Sequence, residues 1–203
     1  RQVVGATDQP AHVVASGRSA PFAVIACASR PQMFRSLTMI EPSRLSVSEP
    51  VGVRSPLMAR LLRLSLRLPL IGESAYNVVV SRRGLRFALR RRLASGGAQV
   101  SDDVLDHYYA VAHQPGARFA PADTLIDDQG TTAAEAFAAS TTPMLLLWGQ
   151  RDPARPVSEA RALRESRPGT ELRIFASGAL PHVETPDAFI RELLTWLGAA
   201  ARV

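Results

Sequence analysis

The chain contains no lysine, so all 24 of its basic side chains are arginine; with 18 acidic residues the formal net charge is +6. Coding-DNA bias explains such a composition as readily as function does, so where the arginines lie matters more than their number. Cysteine is nearly absent. Cys27 alone excludes an internal disulfide and a cysteine-based zinc cluster, and its apolar surroundings mark it as a buried, inert thiol. No apolar stretch approaches the roughly 18 residues that span a bilayer, so no transmembrane helix is expected. The chain has no internal repeat, low-complexity tract or targeting pattern, and it opens at Arg1 rather than at a methionine. Its amino terminus therefore looks cut.

What is present is an ordinary globular composition. At 203 residues and 46% hydrophobic content, one core with an insertion is the simplest architecture. The basicity is local: ten arginines between Arg54 and Arg92 face Glu73 alone, a local +9 that leaves the rest of the chain at −3. A solvated helix face is the plain account of that run. Attraction to an anionic lipid surface or an anionic substrate is the sharper one. Nucleic acid is not expected as a partner, because no recognised binding module accompanies the charge.

Hydrophobic periodicity divides the chain in three. Residues 12–15 read as a short buried strand, 21–29 as a helix tolerating Pro21 in its first turn, and 36–42 as a second strand stopped by Pro42. Strand, helix and strand in so short a span predict a right-handed parallel unit. Residues 44–140 read as a helical insertion, with amphipathic segments at 57–68, 75–93 and 102–113, the last capped by Ser101. Strands at 143–148 and 172–176 and helices at 158–167 and 186–197 then return to the alternating pattern. The expected fold is α/β, a doubly wound, mostly parallel sheet with an inserted helical cap: core 1–43, cap 44–140, core 141–203.

In such sheets ligands sit beyond the carboxyl ends of the strands, and three polar features fall there. Gly17-Arg18-Ser19-Ala20-Pro21 follows the first strand, and Ser19 is expected at the apex of a sharp strand-to-helix turn, with the Ala20 N–H aimed at a developing oxyanion. A simple helix cap is the competing reading of Ser19. Asp152 follows the apolar strand ending at Trp148, where a turn-forming carboxylate is its alternative role. His182 follows the strand ending at Ala176. Serine, aspartate and histidine in that order can form a triad in which the carboxylate orients the imidazole and the imidazole takes the serine proton.

At these residues the chain resembles the α/β-hydrolase family, over nearly all of its length except the cap. VVASGRSAP (13–21) looks like the nucleophile elbow, and RPQMFRSLTMIEP (30–42) like the segment after it. PMLLLWGQRDPARP (143–156) is similar to the acid strand and loop, and SGALPHVETPDAF (177–189) to the histidine loop. The resemblance implies a serine hydrolase acting on an ester or similar small acyl substrate, with no metal or organic cofactor. Because the strands that precede the elbow in that family are missing, it also implies an N-terminally truncated chain, the carboxyl-terminal two-thirds of a longer protein or a cleavage product whose amino-terminal piece stays bound as a separate chain. The loop usually reads Gly-His-x-Pro-x-x-Glu-x-Pro. Gly178, Pro181, Glu184 and Pro186 match it, while Ala179 stands where the catalytic histidine belongs.

A missing base, natural or engineered, is one reading of that substitution; His182 swung in as substitute base is another, and His107 or His113 from the cap a third. His182 also reads as a loop-pinning side chain, and His12 as structural. Asp127 and Asp128 are fallback acids, and Glu184 a loop-ordering carboxylate. Tyr108, Tyr109, Phe87, Leu70 and Ile71 are candidates to line a pocket under the cap, with core packing as their default. The contrasting function is a naturally non-catalytic hydrolase-fold protein that binds a small molecule or partner. The cytoplasm is the expected compartment, and the sequence leaves oligomeric state open.

Overall fold

The computed structural model describes residues 9–43, 45, 69–93, 100–119, 130–152 and 154–200. Its apolar runs form four strands, β1 (Ala11–Ser16), β2 (Phe34–Ile40), β3 (Met144–Gly149) and β4 (Glu171–Phe175), in one sheet of order β1-β2-β3-β4. Every neighbouring pair is parallel, so Ser16, Ile40, Gly149 and Phe175 end at one common edge. In β1 and β2, His12 lies opposite Ser36, and the imidazole Nδ1 is 2.7 Å from the Ser36 hydroxyl. Burial and, to a lesser extent, the Arg35 charge hold the His12 pKa below its ordinary value.

Strand β3 is buried from end to end, as expected of a parallel strand covered on both faces. Its alternate side chains divide between two cores, as the two-residue period of a strand requires. Met144, Leu146 and Trp148 join Val24 and Cys27 of helix α1 (Ala20–Ser29) with Ala133 and Phe137; Leu145 and Leu147 join Phe175, Phe189 and Trp196. Burial pushes the Cys27 thiol up to about 12, which keeps it protonated and unreactive at neutral pH.

The chain divides into two compact units, 1–49 with 129–203 and 50–128. The second unit contains α2 (Pro69–Val79), α3 (Arg82–Arg92) and α4 (Asp102–Ala112). The Ser101 hydroxyl caps α4 by accepting from Val104 N at 3.3 Å. Arg82–Asp106 and Arg86–Asp102 ion pairs join α3 to α4, over a small core containing Leu89, Leu93 and Leu105. Residues 130–139, counted in the insertion by the sequence reading, form helix α5 (Gly130–Ala139) of the sheet unit, where Ala133 and Phe137 bury against α1. The sheet unit then continues with α6 (Val157–Ser166), the single turn α7 (Pro181–Glu184) and α8 (Pro186–Ala200). The segment 57–68, with Asp127 and Asp128, lies outside the described residues. No helix among the described residues is long and apolar enough to cross a membrane.

Candidate functional site at the carboxyl edge of the sheet

The loops that leave the common edge are tied to one another in sheet order. After β2, Ser43 N donates to the Gly17 carbonyl at 3.1 Å, and the buried Glu41 carboxylate accepts from Gly149 N at 2.5 Å. Gly149 itself lies against the next loop so closely that a Cβ there would fall 1.7 Å from the Gly178 carbonyl oxygen. Arg151 N completes the connection by donating to the Ser177 carbonyl at 2.8 Å. The loops after β1, β3 and β4, on which the expected site residues stand, are therefore parts of one continuous edge.

Within the first loop, the left-handed backbone belongs to Gly17, with φ +56°. Ser19 was expected at the apex, but it sits two residues later at φ −80° and ψ −18°, helical values that place it at the entry to α1. The reason is that β1 runs to Ser16, so the chain must reverse at residue 17. Glycine meets that conformational demand with no Cβ penalty. A Cβ at Gly17 would meet no atom within 4 Å, so open space lies where a nucleophile's side chain would stand.

The Ser19 hydroxyl is occupied locally: its Oγ donates to the Ser16 carbonyl at 2.9 Å and accepts from Ser16 N at 3.0 Å. Ala20 N donates to the Gly17 carbonyl and closes the short 3-10 turn, so that N–H does not face an oxyanion.

In the β3 loop, Asp152 is half-buried and its Oδ1 accepts from Ala154 N at 2.8 Å, closing a turn on its own backbone. The β4 loop holds Ala179 buried, and the Glu184 carboxylate fixes that loop by accepting from Gly178 N at 2.7 Å. His182 lies on α7, with its ring 5.8 Å from that of Phe189 in the closing helix. The cap histidines belong to the other unit. There His113 stacks on Tyr109 at 3.9 Å and places Nδ1 2.8 Å from the Tyr109 carbonyl, while His107 meets Tyr108 edge-on. Burial raises the Tyr108 pKa, offset in part by Arg92. Phe87, a candidate pocket residue with core packing as its default, is instead 63% exposed.

Two residues escaped the sequence reading. Glu41 is buried with a left-handed backbone, φ +46°, a costly conformation for a non-glycine residue, and it joins the β2 end to the β3 loop. Its signal was a lone carboxylate ending an apolar strand, just before Pro42. Arg155 clamps the same place: Nη1 donates to the Glu41 carbonyl at 3.2 Å and to Pro42 O, the guanidinium pairs with Glu159, and its carbon lies 4.9 Å from the Trp148 ring centre. Among the described residues, no group of three or more His, Cys, Asp or Glu side chains gathers to hold a metal.

No family model and no curated protein matches the sequence. Solved structures do match in fold. An ancestral haloalkane dehalogenase superposes with a TM-score of 0.71 at 20% identity, over 100% of this chain and 72% of its own. A serine hydrolase involved in carbazole degradation gives 0.69 at 14%, over 97% and 67%. An esterase from Exiguobacterium antarcticum gives 0.66 at 12%, over 92% and 66%. This chain spans between 62% and 72% of the length of such neighbours. Similarity at this level of identity speaks for architecture, and the parallel sheet covered on both faces agrees with it: the chain has the α/β-hydrolase fold.

Proposed function

We propose that this chain is a hydrolase-fold protein that binds a small molecule at the carboxyl edge of its sheet without running the Ser-His-Asp reaction. One observation carries the reading: the left-handed apex is a glycine, which offers no nucleophile, with open space before it. The alternative drawn from the sequence, attack by Ser19 with a base at position 179, requires a serine free to meet substrate. Ser19 is instead bonded twice to the backbone of Ser16, and Ala179 supplies no base. Triad chemistry needs nucleophile, base and orienting acid together, and removing one member of such a unit costs most of the rate.

The ligand class follows by analogy with the neighbours named as esterase and dehalogenase, whose names point to short esters and haloalkanes. The test pairs a fluorophosphonate probe with a thermal-shift series on the full chain and on Ser19→Ala. The reading predicts no Ser19-dependent labelling and a rise in Tm with short aliphatic esters or haloalkanes. Labelling that disappears in Ser19→Ala, or a Tm unmoved by every such ligand, would overturn it.

A further inference from the structure

Helix α3, with the sequence RRGLRFALRRR, carries six arginines and no acidic residue. Two of these cations are committed inside the unit, Arg82 to Asp106 at 2.6 Å and Arg86 to Asp102 at 2.9 Å. Leu89 is the buried residue of α3. At 100° per residue, Arg83, Phe87 and Arg91 fall on the side away from it and Arg90 on the flank of that side, and all four are exposed. Among the described residues, Arg83, Arg90 and Arg91 make no ion pair, and Arg91 lies 5.7 Å from the Phe87 ring centre.

The helix and the turn before it also expose apolar side chains. Phe87 is 63% exposed, and Val78 and Val79, at the turn that feeds α3, are 72% and 68% exposed. That turn is fixed in place. The Ser81 hydroxyl donates to the Val78 carbonyl at 2.7 Å and accepts from Gly84 N at 3.2 Å. Gly84 lies so close to the end of α2 that a Cβ there would come 2.2 Å from the Val79 carbonyl oxygen.

We propose that the outer stripe of α3, together with the Val78–Val79 turn, docks on an anionic lipid surface. Charge complementarity favours that occupant, since the stripe presents three guanidinium groups that make no ion pair among the described residues. The apolar residues beside them separate it from nucleic acid, which gains nothing from an exposed valine pair, whereas a bilayer interface buries such side chains beneath its headgroups. The inference concerns the helical unit alone and stands whether or not the sheet edge is catalytic.

The test is sedimentation of the full chain with phosphatidylserine/phosphatidylcholine vesicles and with pure phosphatidylcholine vesicles, at low and at high salt. Binding is expected to the anionic vesicles and to fall with salt. The triple variant Arg83→Gln/Arg90→Gln/Arg91→Gln should weaken it on the order of 100-fold, given what each cation contributes near such a surface. Phe87→Ser should weaken it several-fold with the charge unchanged. The matched triple Arg161→Gln/Arg164→Gln/Arg191→Gln, at exposed positions of the sheet unit, should bind as the parent does. All these sites are solvent-facing, so far-UV circular dichroism should be unchanged. The proposal is overturned if the anionic vesicles are not bound, if both triples lose binding equally, if Phe87→Ser has no effect, or if polyuridylate binds as tightly as the vesicles do.

Discussion

The clamping arginines of the sheet unit and the outer arginines of α3 in the helical unit are used in opposite ways. In the sheet unit, the buried Arg167 donates to the Ser140 carbonyl through Nε at 3.1 Å and Nη2 at 2.9 Å, to the Thr142 carbonyl at 2.7 Å, and to the Thr170 hydroxyl at 3.0 Å. Burial holds its pKa below the ordinary value, yet a guanidinium remains charged at any physiological pH. Arg155 does comparable work at the carboxyl edge of the sheet, holding the ends of two loops. In the helical unit, the outer arginines of α3 face solvent and make no ion pair among the described residues. A lysine-free composition is therefore not one property. The planar, five-donor guanidinium serves as a clamp in one place and as a plain surface charge in the other.

That contrast predicts a graded series. Arg167→Ala should be the most damaging, costing about 3 kcal/mol because it strands the Ser140 and Thr142 carbonyls in a buried site; denaturant unfolding measures it. A loss under about 1 kcal/mol would remove the distinction between clamp and surface charge. Arg155→Lys keeps the charge but loses the fork and the stacking on Trp148, and should cost about 1–2 kcal/mol in the same measurement. An unchanged stability would mean that charge alone, and not geometry, holds the edge. The triple Arg83→Gln/Arg90→Gln/Arg91→Gln should change stability by no more than about 0.5 kcal/mol while it abolishes most vesicle binding.

Most of the sheet was visible in the sequence because its signals are local: apolar runs of strand length, and Pro31 closing off a helix. The insertion's end was set too late, at residue 140, because GTTAAEAFAA carries no local mark of the unit it joins; only its burial of Ala133 and Phe137 against α1 assigns it to the sheet unit. The elbow was misread for a sharper reason. Gly17-x-Ser19 and Ala15-x-Gly17 both offer small residues around a central position, so composition alone could not choose the apex. The choice depended on where β1 ends, and an apex must follow its strand directly. The strand runs to Ser16, which selects Gly17. Glu41 went unnoticed because its partner, Gly149 N, is 108 residues away in the chain.

The central claim, that Ser19 shapes a turn and does not attack substrate, meets its most direct test in the hydrolysis of p-nitrophenyl butyrate by the chain and by Ser19→Ala, both checked for folding. The account predicts rates equal within about twofold, each at the level of background; a loss of about a hundredfold or more in Ser19→Ala would contradict it and return the nucleophile to residue 19.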